Sequence, residues 1–279
     1  MKTIQCLAAA ALIALPAAAQ LKLPAVSQHA VVTQTVGLTD ITVTYSRPGV
    51  KGRQIFGELV PYGKVWRSGA NQATQFAVST DVSIEGQKLP AGTYSLHTIP
   101  GPDSWTVIFN KDAGQWGSFS YDQAKDALRV TVKPEKAMHS TEWLEYYFPE
   151  VSTDAATLVL QWADVKVPIH IDANTTANVM ANAKSAVASA KPDDWQTPYR
   201  AGGFALDNGQ MAAAREWSDE AVKRNENLST LWLRARVEQK EGHTAEALKT
   251  AELALSKQTD KDNKDFVGEV KKQIAAWKK

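Results

Sequence analysis

Val167-Pro168-Ile169-His170-Ile171-Asp172-Ala173-Asn174-Thr175-Thr176-Ala177-Asn178-Val179-Met180-Ala181 is where the chain changes its period. Before Asn174 the apolar residues alternate: Val167, Ile169 and Ile171 share one face, and His170 and Asp172 share the other. That is the signature of a strand with one buried side. After Asn174 the composition turns to alanine, from Ala177 to Ala190, and helical propensity takes over. The switch predicts a mainly β, sandwich or barrel-like domain over residues 28–173. An α-helical, tetratricopeptide-like tail follows over 174–279, giving an α+β chain overall.

Upstream of the switch the strand pattern repeats. Val31–Val36 and Ile41–Tyr45 are β-branched and alternating, parted by Gly37 and Asp40. Thr74–Ile84 reads as one alternating strand with Phe76, Val78, Val82 and Ile84 on one face, and Glu85-Gly86-Gln87 as a turn. Thr93–Ile99, Trp105–Asn110, Leu128–Val132 and Leu144–Phe148 follow. Ala156–Ile171 is so long that it must bend or split near Asp164. Short strands separated by turn residues point to an antiparallel sandwich or barrel.

Downstream, Lys191-Pro192-Asp193-Asp194 breaks the first helix. From Trp195 the period is helical and weakly repeated. Gly209-Gln210-Met211-Ala212-Ala213-Ala214 aligns with Gly242-His243-Thr244-Ala245-Glu246-Ala247, and Tyr199 with Trp232, at an offset of 33 residues. That offset is close to the tetratricopeptide period. Two repeats fall short of the three that a free-standing solenoid needs. The tail is therefore expected to pack on the β domain or on another chain, and offers a docking surface for a protein partner. Asp262–Trp277 reads as a closing helix. Protease is expected to cut first between residues 172 and 195.

Residues 1–19 have the pattern of a cleaved signal peptide. Lys2 gives the positive start, Leu7–Leu15 the apolar run, and Ala17-Ala18-Ala19 the small-residue cleavage site. The mature chain then starts at Gln20, in the periplasm or outside the cell, and contains no membrane span. Cys6, the only cysteine, leaves with the leader, so the mature chain has neither disulfide nor thiol chemistry. A net charge of +1 provides no whole-molecule field for nucleic acid.

The stretch with the most chemistry is Ser46–Asn71. Gly49, Gly52, Gly57, Gly63, Pro48 and Pro61 interrupt it, which suits neither a helix nor a central strand. Long ordered loops in compact domains are commonly functional. Arg47, Lys51, Arg53, Lys64 and Arg67 are basic, against one acid, Glu58, with Tyr62 and Trp66 among them. Ile55, Phe56, Leu59 and Val60 are apolar anchors that would pin the loop to the sheet. A bundle of guanidinium and ammonium groups beside aromatics suits an anionic or carbohydrate ligand. The candidate ligand-binding set is Arg47, Lys51, Arg53, Trp66, Arg67, Asn71 and His97. His97 shares a strand face with Thr93 and Ser95 and is expected on the floor of the same site, as a neutral hydrogen-bonding group or a base. Of nine tryptophans, Trp162 reads as core, and Trp116, in a loop, as an exposed stacking platform.

The same stretch carries a family resemblance. Lys51-Gly52-Arg53-Gln54-Ile55-Phe56-Gly57, Leu59-Val60-Pro61-Tyr62-Gly63-Lys64-Val65-Trp66-Arg67-Ser68-Gly69-Ala70-Asn71 and Leu89-Pro90-Ala91-Gly92-Thr93-Tyr94-Ser95-Leu96 resemble the bacterial DUF2911 family, over about Ser46–Asp172. The resemblance implies an exported protein of unassigned function, with a helical, tetratricopeptide-like tail as is common there. It carries no catalytic residue.

Other chemistries lack their residues. Gly57–Lys64 is one residue too long for a phosphate loop, and Val65 stands where a magnesium-binding Ser or Thr would be. No Gly-x-Ser-x-Gly elbow occurs. His29, His97, His139, His170 and His243 fall in no zinc-binding spacing, and His170 with Asp172 is a bare pair. No cofactor or metal is expected. Three functions compete: a non-catalytic module binding a small anionic or glycan ligand, favoured here; an interaction scaffold acting through the tail; and a periplasmic hydrolase using His97 or a loop carboxylate.

Overall fold

A computed structural model describes residues 23–279; the leader and the expected start at Gln20 lie outside them. Ten strands come first: β1 (Gln28–Val36), β2 (Thr39–Arg47), β3 (Thr74–Val78), β4 (Val82–Ile84), β5 (Gln87–Leu89), β6 (Gly92–Ile99), β7 (Trp105–Asn110), β8 (Asp126–Val132), β9 (Glu135–Val151) and β10 (Ala155–Asp172). They form two antiparallel sheets, ordered β1-β2-β3-β6-β7-β8 and β5-β4-β10-β9. One apolar core holds side chains of both sheets, among them Ile41, Phe76, Leu96 and Phe109 from the first and Leu144, Leu158, Trp162 and Ile169 from the second. This is the packing of a sandwich.

Alternation places these side chains. In β2, Ile41, Val43 and Tyr45 are buried, and the residues between them are less so. In β10, Val167, Ile169 and Ile171 are buried and His170 is exposed. β10 does bend where expected: its register with β9 shifts on both sides of Ala163, whose φ is +53°. An extra residue there turns the strand more sharply. Thr74–Ile84 is not one strand. It breaks at Ser79-Thr80-Asp81, and its halves, β3 and β4, join opposite sheets. The alternation survives the break because both halves face the same core.

Six helices follow: α1 (Thr175–Ser189), α2 (Gln196–Asp207), α3 (Met211–Arg224), α4 (Leu228–Lys240), α5 (Thr244–Ser256) and α6 (Lys264–Trp277). The 33-residue offset has a structural counterpart. Gly209 and Gly242, at φ +71° and +87°, end α2 and α4 and turn the chain into α3 and α5. This left-handed conformation is one that glycine adopts without a Cβ penalty. Buried Ala214, Ala221, Ala247 and Ala254 let the paired helices approach closely.

The side-chain hydrogen bonds joining strands to helices lie at the start of α1. Asn174 Nδ2 donates to Asp81 O, Asn178 Nδ2 to Thr80 Oγ1, and Thr175 Oγ1 to Thr153 O. At the other end of α1, Arg224 donates to the carbonyls of Val187, Lys191 and Asp194 and to the Glu220 carboxylate. These bonds hold the α1–α2 connection shut. We propose that residues 28–173 and 174–279 are separate units joined at the start of α1, with the connection after α1 the most open chain near the junction. Proteinase K is then expected to cut first between Ala190 and Trp195, and severalfold faster in Arg224→Ala. First cuts within the sandwich would contradict the division.

Candidate ligand-binding site

The loop after β2 contains no strand of its own, yet its backbone is tied at several points. Gly49 bridges Trp143, Phe56 bridges Val60, and Trp66 bridges Thr98. Trp66 N donates to Thr98 O at 2.8 Å, and Thr98 N returns the bond at 2.9 Å. Thr98 lies two residues past Leu96, the last β6 residue that pairs with β3, so the loop takes up the sheet position β3 leaves vacant. Gly63 N donates to Pro100 O at 2.9 Å.

Ile55, Phe56 and Val60 are buried, as expected of anchors. Leu59 is not: it is 45% exposed. Leu59 and Val60 are adjacent, and the turn closed by Val60 N and Ile55 O directs only Val60 inward. Phe56 packs edge-on against Trp105, Trp66 and Trp162 at ring separations of 4.9, 6.0 and 6.1 Å. Trp66 and Trp162 stack at 5.9 Å. Edge-to-face and stacked aromatics add to the burial term.

Against this cluster lies a cavity of about 340 Å³. Of the seven candidate residues, five line it: Lys51, Arg53, Trp66, Arg67 and Asn71. Trp162 forms part of the wall, and Val26 and Ser27 close one side. The sequence marks Trp162 as core only. No signal in the sequence placed Val26 or Ser27 here, because their contacts are set by the loop's return past β1.

The backbone carrying Arg67 is fixed on both sides. Ser68, fully buried with φ +53°, accepts at its carbonyl from Tyr146 OH at 2.8 Å and from Thr74 Oγ1 at 2.9 Å. Its hydroxyl donates to Thr98 Oγ1 at 3.0 Å. Gly69 accepts from the Trp66 indole, and a Cβ there would stand 2.8 Å from Thr74 Oγ1, so only glycine fits. Asn71 sits at φ +60°, a conformation asparagine tolerates, and its amide donates to Ser27 O and Ser46 Oγ.

Arg67 itself has no ion pair and no side-chain hydrogen bond among the described residues, and its Nε is buried without a partner. Burial lowers its pKa, with no carboxylate to offset the effect. Arg53 differs: its guanidinium is spent on Val50 O and Gly49 O. Lys51 is exposed at the rim, where its backbone N–H bonds the Glu142 carboxylate at 2.9 Å. Among the described residues, none that lines the cavity is acidic. The arrangement offers a cationic, donor-rich end beside indole surface.

Two candidates lie elsewhere. Arg47 is turned to the second sheet, donating to Leu144 O at 2.8 Å and pairing with Glu145 at 3.2 Å. His97 is fully buried beneath the loop before β8 and does not line the cavity. Its Nε2 lies 3.1 Å from Ser95 Oγ, its Nδ1 3.3 Å from Ser118 Oγ, and its ring 5.2 Å from that of Tyr121. The expected strand face was right, but that face is the outer one of its sheet, and residues 115–121 cover it. Trp116 in this covering loop is 61% exposed and also outside the cavity.

Burial pulls His97 down to about 4, against smaller opposing pulls from Asp126 and Asp112. The native state therefore keeps it neutral while the unfolded chain protonates below pH 6.5. Stability is expected to hold above that pH and to fall as pH drops from 6.5 towards 4, by about 3 kcal/mol in total. Urea midpoints at pH 7 and 4.5 measure this, and His97→Gln should show a smaller drop than the wild type. Equal drops in both proteins would assign the acid sensitivity to other groups.

Among the described residues, no three His, Cys, Asp or Glu side chains gather as a metal site. No described helix is long and apolar enough to cross a membrane. No curated protein and no solved structure matches the chain. The model of one family, described as a protein of unknown function, DUF2911, matches residues 27–171, just over half of the 279. The sandwich and its cavity-forming loop lie within that match, and the chain belongs to the DUF2911 family.

Proposed function

We propose that this is an exported binding protein, periplasmic or secreted, that holds a small anionic ligand in the cavity under the 46–71 loop. The observation that carries the reading is Arg67: a partly buried guanidinium on a rigid backbone, with no acceptor of its own. A protein tolerates such a group at a cost in stability, and an incoming anion repays it. Binding is favoured over hydrolysis because, among the described residues, no histidine, cysteine or carboxylate lines the cavity to serve as a nucleophile's base. Export is supported by the leader pattern of residues 1–19.

A thermal-shift panel of small carboxylates, phosphate and sulfate, each beside a neutral analogue, tests this. Anions should raise Tm as their concentration rises, since a ligand of the native state stabilises it by mass action. The shift should shrink in high salt, because the rim charges are exposed. Equal shifts from charged and neutral members would remove the anion reading.

A further inference from the structure

A second unsatisfied donor belongs to a residue of the cavity wall. The indole N–H of Trp162 is buried without a hydrogen-bond partner, on a side chain only 2% exposed that forms part of the cavity wall. Buried N–H groups are rarely left orphaned in folded proteins, and each one calls for an explanation. Here two orphans, Arg67 Nε and Trp162 Nε1, belong to residues lining the same space. Both groups donate and neither can accept. Their shared complement is an acceptor-only group.

Several features separate a carboxylate from a phosphate. Phosphate sites are commonly built from backbone N–H groups at a helix N-terminus or a glycine nest. No helix contributes to this cavity, whose walls come from the lead-in, the 48–71 loop and β10. A phosphate presents three strong acceptor oxygens and up to two charges. Among the described residues, the buried side-chain donors without a partner belong to one guanidinium and one indole. A planar carboxylate matches the planar guanidinium with two parallel bonds. Pro48, Leu59, Val60 and Trp66 give the remaining wall an apolar part, beside the polar Lys51, Arg53 and Asn71. At about 340 Å³ the space sits at the small end of ligand pockets. It suits one ring with its acid group.

Resting on the anion reading above, we infer that the ligand is a monocarboxylate borne on a single ring with an apolar face, its carboxylate bound by the Arg67 guanidinium and the Trp162 indole N–H. The ring lies along the apolar wall. Asn71 Oδ1, which accepts no hydrogen bond among the described residues, is available to a ring substituent.

Isothermal titration with benzoate, glucuronate, benzamide, methyl glucoside and inorganic phosphate tests the class. Benzoate and glucuronate separate an aromatic acid from a sugar acid. The expected result is that at least one of them binds, at least about tenfold more tightly than its neutral counterpart and than phosphate. Arg67→Lys keeps the charge but removes Nε and the planar fork, and should weaken that binding by roughly tenfold or more. Trp162→Phe keeps an aromatic ring without the N–H and should weaken it by a similar factor. Should Trp162→Phe fail to fold, Arg67→Lys decides. Phosphate binding as tightly as the carboxylates, and lost in Arg67→Lys, overturns the carboxylate class while the anion site stands. Neutral analogues binding as well as the acids, or no probe binding at all, overturns both.

Discussion

Phe56→Ala is expected to cost about 3–5 kcal/mol of stability, the range for removing a large buried aromatic. Phe56 is 8% exposed, and its ring meets the edges or faces of three tryptophans, Trp66, Trp105 and Trp162. These rings come from the loop, the first sheet and the second sheet, so Phe56 joins all three parts. Its removal leaves a void that the tryptophans cannot close without giving up their mutual contacts. The loss exceeds that of an ordinary core residue in one further respect: the loop gives up its contact with all three tryptophans and keeps Ile55, Val60 and its hydrogen bonds, among them Trp66–Thr98, Gly63 N to Pro100 O and those of Ser68. Arg67 should then lose its fixed position, and anion binding should weaken even at temperatures where the variant remains folded. Urea denaturation measures the first effect and titration with the best ligand the second. Phe119→Ala is the control, because Phe119 is 86% exposed and its removal should change stability by no more than about 0.5 kcal/mol. A loss below about 1 kcal/mol in Phe56→Ala would show that the loop is held by its backbone bonds and not by this cluster.

The parts of the molecule that could be read from the sequence are those where one face is buried. Alternation located β2, β6 and the end of β10, where apolar and polar residues take turns, and the length of β10 announced its bend. It was silent on the first half of β9. From Glu135 to Trp143 that strand is exposed except at Ala137 and partly at Thr141, so nothing alternates. The tail was legible from its 33-residue repeat, since Gly209 and Gly242 mark equivalent turns. In the site, local features were legible and distant partners were not. Arg67 and Asn71 sit in a loop whose glycines, prolines and anchors announce an ordered structure. Arg47 looked equally available, but its acid, Glu145, lies ninety-eight residues away in sequence and adjacent in space. His97 was assigned the right face of its strand, but the sequence has no mark showing that residues 115–121 fold over that face. Trp162 read as core, which it is; that its N–H would lack a partner depends on the shape of the cavity beside it.

Arg67→Leu should separate stability from binding in opposite directions. A partly buried cation with no partner raises the free energy of the folded state, through lost hydration that no acid offsets. Leucine removes that cost and can rest on the apolar wall. The variant is expected to be as stable as the wild type or more so, by up to about 1 kcal/mol, or roughly 2–4 °C in Tm. Binding of a small anion should fall by about tenfold or more, since a hydrogen bond to a charged group is worth about 1.5–3 kcal/mol and each 1.4 kcal/mol is tenfold. Lys51→Ala is the comparison. Lys51 is exposed at the rim, so its charge should contribute less than about 1 kcal/mol, and that contribution should vanish in high salt. A stabilised variant that no longer binds is the behaviour of a group kept for function at the expense of the fold. If Arg67→Leu instead loses more than about 1 kcal/mol of stability while binding is unchanged, the guanidinium holds the loop together and the ligand site is elsewhere.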